Sequence, residues 1–319
     1  MKVSVLGCGR WGSFLAWYAN EQGHDVVLWG EEQRRSFEEL KQTRSNAFVT
    51  LNEKITLSSD LEFAVNRADI VIVSISAQGF RSLARRIACF DQTGKAFVLC
   101  MKGLEVGTGK RLSEIASEEG IDPQKTAVWV GPGHIQDFVK RIPNCMVIDS
   151  LNADLTLFVI DAFRSDLIRF YRGADLLGTE VGAAAKNVFG IAAGMLDGKG
   201  YITLKGPLMA RGAREVARLI RAMGGNEISA YSLSHLGDYE TTLFSPHSHN
   251  RRFGECFVQG KEFDRLAEGV PTVYAMLALS EKYGVELPIT SAVRRILERE
   301  GDPIEILSEL FSRQEKTEF

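Results

Sequence analysis

The chain has 319 residues, enough for two domains of ordinary size, with 45% hydrophobic and 25% charged residues. That balance is globular and excludes a disordered chain. The net charge of -3, with no long block of one sign, gives no electrostatic reason to expect nucleic acid or an anionic membrane as partner. An anionic substrate therefore needs a local cluster of basic groups.

Met1-Lys2-Val3-Ser4-Val5-Leu6 runs directly into Gly7. It lacks the longer apolar stretch and small-residue cleavage site of a signal peptide, and no apolar run approaches the length of a membrane span. Cys8, Cys89, Cys100, Cys145 and Cys256 are scattered, with no Cys-x-x-Cys pair. They read as reduced thiols of a cytoplasmic protein.

The first half alternates short Val/Ile-rich runs with polar-faced helical patterns. Strands are expected at Lys2–Leu6, Asp25–Leu28, Ile70–Ser74, Ala96–Leu99, Ala127–Val130 and Cys145–Asp149, with helices such as Trp11–Glu21 and Gln78–Ala88 between them. This alternation predicts a parallel sheet with helices on both faces. The second half carries long helical patterns instead: Asp175–Leu196, Leu204–Met223, Val270–Tyr283 and Ile289–Glu300. The expected architecture is α/β. A Rossmann-type doubly wound parallel sheet over residues 1–174 is followed by an all-α domain over residues 175–319.

Gly7-Cys8-Gly9-Arg10-Trp11-Gly12 is a G-x-G-x-x-G that follows an apolar strand and opens a helix. Gly7 permits the tight turn, Gly9 lets the backbone approach a pyrophosphate, and Gly12 lets the helix pack on the strand. The helix N-terminus then presents unpaired N–H groups to the phosphates. The motif alone is weak; its context points to a dinucleotide. Glu31 and Glu32 follow the second strand, where a carboxylate binds a ribose 2′-hydroxyl and disfavours the 2′-phosphate of NADP. Arg34 and Arg35 come next, and an arginine pairs with such a phosphate. The balance tips to NAD and leaves NADP open.

The helix Gly178–Gly194 is rich in Gly and Ala, which lowers its local propensity and points to close backbone approach by another element. Lys186 is its only cation. Among small apolar neighbours an ammonium loses hydration, which suits it to proton transfer; the plainer alternative is a snorkelling surface lysine. Lys102 follows the Ala96–Leu99 strand and Gly131-Pro132-Gly133-His134 follows the next, both at the sheet edge where ligands bind in such folds. Asp238 could orient an ammonium, and Asn250 with its basic neighbours could receive a phosphate; the alternative for Asn250-Arg251-Arg252 is a solvated basic turn. His247-x-His249 has no third ligand nearby, so no metal site is expected.

Together these motifs resemble the NAD(P)-dependent glycerol-3-phosphate dehydrogenase family over nearly the whole chain. The resemblance is carried by Gly7–Gly12 with Trp11, Arg44-Ser45-Asn46, Lys102-Gly103-Leu104-Glu105, Gly131-Pro132 and Glu180–Asn187. It continues through Asp238, Asn250-Arg251-Arg252-Phe253-Gly254, Glu268-Gly269 and Leu287-Pro288-Ile289-Thr290. It implies interconversion of dihydroxyacetone phosphate and sn-glycerol 3-phosphate with NAD or NADP, in an interdomain cleft, feeding phospholipid synthesis. Lys186 would be the general acid, Lys102 would polarise the substrate oxygen, and Asp238 would support the lysine.

Cofactor contacts would come from Gly7, Gly9, Arg10, Trp11 and Gly12, from Lys102 and Ile135, and from His249, Leu266 and Glu268. The phosphorylated three-carbon substrate would meet Lys102, Gly131, Gly133, Lys186, Asn187, Asp238 and Thr242, then Ser248, His249, Asn250 and Arg251. Such enzymes are commonly cytoplasmic and often homodimers. The sequence departs from the family at His249, usually Arg, at Gly133-His134-Ile135, and at Ile75-Ser76-Ala77-Gln78, which lacks the usual proline. These departures keep two alternatives open: a related dehydrogenase of another keto or hydroxy compound, and a protein that binds NADH without turnover. Retention of Lys102, Lys186, Asp238 and Asn250 argues against the second.

Overall fold

A computed structural model describes residues 1–310; residues 311–319, the end of the expected helical domain, lie outside the described residues. The chain divides into two compact units. One comprises Met1–Lys102 and Lys110–Glu180, the other Gly103–Gly109 and Val181–Phe319.

The first unit is built on one sheet: β1 (Lys2–Leu6), β2 (Asp25–Trp29), β3 (Thr56–Ser58), β4 (Ile70–Val73), β5 (Ala96–Leu99), β6 (Thr126–Val130), β7 (Asn144–Ser150) and β8 (Ile168–Arg172). Their order is β3-β2-β1-β4-β5-β6-β7-β8. Strand alternation divides the apolar residues between two layers. Val3, Val5, Val26, Leu28, Ile70, Ile72 and Val98 enter one core cluster, whereas Leu6, Val27, Trp29, Val71, Val73, Phe97 and Leu99 enter the other. Both faces are therefore buried, as parallel strands require.

The order reverses on either side of β1, which places the crevice for a ligand at its carboxyl end. Leu6 pairs in register with Trp29 and with Val73, so the turns after β1, β2 and β4 emerge at one edge.

The expected sheet is corrected in two respects. β7 runs antiparallel to β6, with Val130 opposite Val147, because the chain after β6 turns straight back through a short helix, Ile135–Val139. β3 and β8 were not expected. β8 reads Ile-Arg-Phe-Tyr-Arg and lies at the sheet edge, where three of its five residues face water and no apolar run forms.

The named elements of the second unit are all helices among its described residues. Its helices are Leu176–Gly198 (whose first turns belong to the first unit), Lys205–Ala222, Leu236–Leu243, His249–Val258, Gly269–Tyr283, Pro288–Leu297 and Pro303–Glu309. Leu236–Leu243, His249–Val258 and Pro303–Glu309 were not expected. The buried Glu215 accepts hydrogen bonds from the backbone N–H of Ile289 (2.8 Å) and Thr290 (3.1 Å) and from the Thr290 hydroxyl (2.7 Å). It thereby caps the Pro288 helix from a neighbouring helix. Among the described residues no helix is long and apolar enough to cross a membrane.

Candidate active site

At the carboxyl edge of the first unit, Gly7 adopts φ +115°, and a Cβ there would run into the carbonyl of Ser74. A Cβ on Gly12 would strike the carbonyl of Gly7. Both glycines are thus demanded by the packing of the turn itself. Gly9 differs: a Cβ on it would touch no protein atom, although Gly9 is the N-cap of the helix Arg10–Glu21. Its glycine answers to no internal crowding, and the reason left for it is close approach of a ligand to the helix N-terminus. The turn therefore fits a dinucleotide pyrophosphate.

Arg10 lies over the Phe48 ring at 4.8 Å, and Trp11 packs against Phe14 (5.0 Å) and Phe138 (6.2 Å). Beyond β2, Glu31 accepts from Arg34 at 3.0 Å and lies 3.9 Å from Arg86, while Glu32 pairs with Lys41. Arg34 is thus directed to a carboxylate.

Lys102 follows β5 and donates from Nζ to the carbonyl oxygen of Gly131 at 2.8 Å, joining the ends of β5 and β6. Gly131 and Gly133 have φ of +131° and +145°, and a Cβ on Gly133 would press on the Phe138 ring at 2.5 Å. Ile135 is 2% exposed and its side chain belongs to the core, so any cofactor contact from it is through backbone.

In the second unit the glycine-rich helix is explained by backbone contact. A Cβ on Gly194 would run into the carbonyl of Arg251, and one on Gly254 into the carbonyl of Ile191. The helices Leu176–Gly198 and His249–Val258 meet main chain to main chain. Lys186 emerges on this first helix with its side chain 12% exposed. Its Nζ lies 3.1 Å from Asp238 Oδ1 and donates to Thr242 Oγ1 at 2.8 Å. Thr242 Oγ1 in turn donates to the Asp238 carbonyl at 2.8 Å, and Thr241, unnoticed in the sequence, donates to Asp238 Oδ1 at 2.9 Å. The snorkelling alternative is excluded: the side chain is largely buried and its ammonium meets a buried carboxylate and a hydroxyl.

Asn187 and Asn250 are both buried. Asn250 Nδ2 donates to Asn187 Oδ1 (2.9 Å), and Asn250 Oδ1 accepts the backbone N–H of Gly269 (2.9 Å). Ser248 caps the helix His249–Val258, its hydroxyl accepting from Arg251 N at 3.3 Å. The Arg251 side chain donates from Nε to Asp197 Oδ2 at 2.6 Å, and Asp197 also pairs with the buried Lys205 at 2.6 Å. Asn250-Arg251-Arg252 is therefore the first turn of a packed helix, with only Arg252 solvated. His249 packs against Phe263 (6.3 Å). Glu268 is half-buried at the N-cap of Gly269–Tyr283, and Leu266 is exposed.

Glu180, which the sequence marks only as the start of a family motif and without a role, is buried. It accepts from Ser113 N (2.9 Å), Ser113 Oγ (2.5 Å) and Arg111 Nη1 (2.8 Å). Burial raises its pKa, opposed by the Arg111 charge and these bonds.

Residues 2–156 match the family model described as NAD-dependent glycerol-3-phosphate dehydrogenase N-terminus, and residues 175–308 match the C-terminus of the same family. A glycerol-3-phosphate dehydrogenase [NAD(P)+] of Prosthecochloris aestuarii is 35% identical over 334 residues, covering 100% of both chains. One from Fusobacterium nucleatum is 34% identical over 332 residues, covering 100% of this chain and 98% of that protein. The crystal structure of glycerol-3-phosphate dehydrogenase from Coxiella burnetii superposes with a TM-score of 0.89 at 26% identity, covering 98% of this chain and 99% of that one. With its glycine turn, its buried lysine–aspartate pair and these full-length relatives, the chain belongs to the NAD-dependent glycerol-3-phosphate dehydrogenase family.

Proposed function

We propose that this protein interconverts dihydroxyacetone phosphate and sn-glycerol 3-phosphate, and that Lys186 exchanges the proton with the substrate oxygen. The observation that carries the reading is the Lys186 ammonium, 3.1 Å from Asp238 Oδ1 and 2.8 Å from Thr242 Oγ1. Gly7, Gly9 and Gly12 with the N-terminus of Arg10–Glu21 would hold NAD(P), whose bound reduced form supplies the hydride.

As negative charge grows on the ketone oxygen, Lys186 Nζ gives it a proton; in the reverse direction the neutral amine takes the proton from the hydroxyl. Asp238 orients the amine and balances its charge when protonated. Thr242 fixes the amine from the other side. Lys102 donates to the Gly131 carbonyl; a role for its ammonium at the substrate oxygen rests on the family resemblance alone. For the substrate phosphate we assign the first turn of His249–Val258, with Ser248, His249 and the second amide hydrogen of Asn250. Arg251 is drawn to Asp197 and acts as a structural tie. Glu31 beside the nucleotide turn supports NAD as the preferred cofactor. We place the enzyme in the cytoplasm, where its product is the three-carbon backbone consumed in glycerophospholipid synthesis.

The test is oxidation of NADH and NADPH with dihydroxyacetone phosphate by the native protein and by Lys186→Ala. Loss of a positioned proton donor lowers kcat/KM by about 10²–10⁴-fold, with NADH still bound. Unchanged turnover in the variant would overturn the reading.

A further inference from the structure

Packed against the lysine helix is an imidazole that the proposed reaction does not touch. His235 is fully buried, and its Nδ1 lies 2.7 Å from the carbonyl oxygen of Gly182. A carbonyl only accepts, so Nδ1 carries the hydrogen and donates it, and in a neutral ring the other nitrogen is a lone pair. That Nε2 is buried with no hydrogen-bond partner among the described residues. Protonation would place an unsatisfied N–H and a charge in the interior, and burial pushes the pKa down to about 4. At neutral pH His235 is uncharged.

Its location is specific. In an α-helix the carbonyl of residue 182 is the acceptor for the backbone N–H of residue 186. The imidazole therefore fastens the turn from which Lys186 projects. The fit is close, since a Cβ on Gly182 would sit 2.8 Å from His235 Cβ. On the other side, the His235 carbonyl accepts the backbone N–H of Asp238 and of Tyr239, both at 3.0 Å. It thus opens the helix that carries Asp238 and Thr242. The ring itself is clasped edge-on by Tyr239 (4.6 Å) and Phe189 (6.0 Å), the latter one turn beyond Lys186. A single residue holds the backbone beneath both members of the ion pair.

We propose that His235 is a positioning residue for proton transfer: a neutral imidazole that fixes the Lys186 turn against the Asp238 helix and adds no charge beside the Lys186–Asp238 pair. The inference rests on the reading of Lys186 as proton donor. The Asp238 carboxylate favours protonation of this ring and the Lys186 ammonium opposes it, so both charges bear on it. A second cation here would compete for Asp238 and repel Lys186.

The experiment compares wild type, Lys186→Ala, His235→Leu and His235→Asn in one assay of NADH oxidation, with NADH binding measured by fluorescence titration. Retained turnover in Lys186→Ala defeats the proton-donor reading by itself. With that variant inactive, His235→Leu, which keeps bulk and loses the donor, lowers kcat by about ten- to a hundredfold, the scale of a misplacement of about 1 Å. Its NADH affinity and KM for NADH stay at wild-type values. His235→Asn, which keeps an N–H at the Nδ1 position, recovers most of kcat. Equal kcat in both variants, whether wild-type or reduced, overturns the inference.

If His235→Leu fails to fold, the ring of the wild-type protein decides. Imidazole ¹⁵N resonances show a neutral Nδ1–H tautomer that does not titrate between about pH 5 and 8. An Nε2–H tautomer, or a titration inside that range, overturns the inference.

Discussion

Asn250 donates its side-chain amide to Asn187 Oδ1 at 2.9 Å, at the position next to Lys186 in the chain. Its own Oδ1 accepts the N–H of Gly269 at 2.9 Å. One side chain therefore ties the helices Leu176–Gly198, His249–Val258 and Gly269–Tyr283 together. A Cβ on Gly269 would lie 2.5 Å from the Asn187 carbonyl, so the three elements meet too closely for any larger bracket. The residue that the sequence nominates for phosphate is first of all a structural joint.

Asn250→Ala therefore loses stability as well as substrate affinity. Truncation leaves the buried Asn187 Oδ1 and Gly269 N–H without this partner, and each unmet group costs about 1–3 kcal/mol. Urea unfolding should show a midpoint clearly below wild type. An unchanged midpoint with a raised KM for dihydroxyacetone phosphate would mean that the amide serves the ligand alone.

We expect cofactor choice to turn on Glu31. Its carboxylate engages Arg34 at 3.0 Å, and on our proposal that NAD is preferred it would meet a 2′-phosphate with like charge. Glu31→Ser removes the repulsion and releases Arg34. We expect the ratio of kcat/KM for NADPH to that for NADH to rise about tenfold or more, since 1.4 kcal/mol is already a factor of ten. An unmoved ratio would place the selectivity elsewhere.

The nucleotide turn was legible because its chemistry is local: an apolar strand, three glycines and a helix start fall within one short stretch. The Gly- and Ala-rich helix was legible as a demand for close approach, though not as to what approaches it; the carbonyl of Arg251 is 57 positions from Gly194 in the chain, and only folding joins them. Lys186 and Asp238, 52 residues apart, were paired by family resemblance and not by any pattern in the residues. The reversal of β7 left no local mark, because apolar alternation is the same in either strand direction. Arg251 read as a phosphate ligand since nothing near it in sequence announces Asp197. His235 was passed over for a similar reason: a single histidine in a Ser-Leu context carries no period, and its partner is the carbonyl of a distant glycine.

Glycine substitutions separate the packed positions from the open ones. Gly194→Ala drives a methyl group into the Arg251 carbonyl, a backbone atom that cannot swing aside. Such overpacking costs about 1–3 kcal/mol or more. Gly206 lies in the helix Lys205–Ala222 with nothing near its absent Cβ. There Gly206→Ala stabilises by about 0.4–1 kcal/mol through the unfolded chain. Thermal unfolding of the two variants should move in opposite directions, and a common direction would contradict the helix contact.

The buried Glu215 gives the protein a measurable dependence on pH. Burial raises its carboxyl pKa above the ordinary 4.5, more than its bonds to Ile289 and Thr290 lower it. In the interval between 4.5 and the raised value, the folded state holds a proton that the unfolded state has released. Stability from this group therefore falls as pH rises through that interval, and is recovered on acidification. Glu118 and Glu119, whose pKa values are lowered by Lys110, Arg81 and Arg85, titrate with the opposite sign, so the wild-type curve alone is mixed. The difference between wild type and Glu215→Gln isolates the effect. Unfolding free energies from urea titrations should show the wild-type advantage over Glu215→Gln shrinking as pH is raised from about 4.5 towards neutrality, because only the wild type carries the buried charge. A difference that stays flat across this range, or that grows with pH, would mean that the hydrogen bonds to the Pro288 helix outweigh burial and that the carboxyl is ionised at no cost.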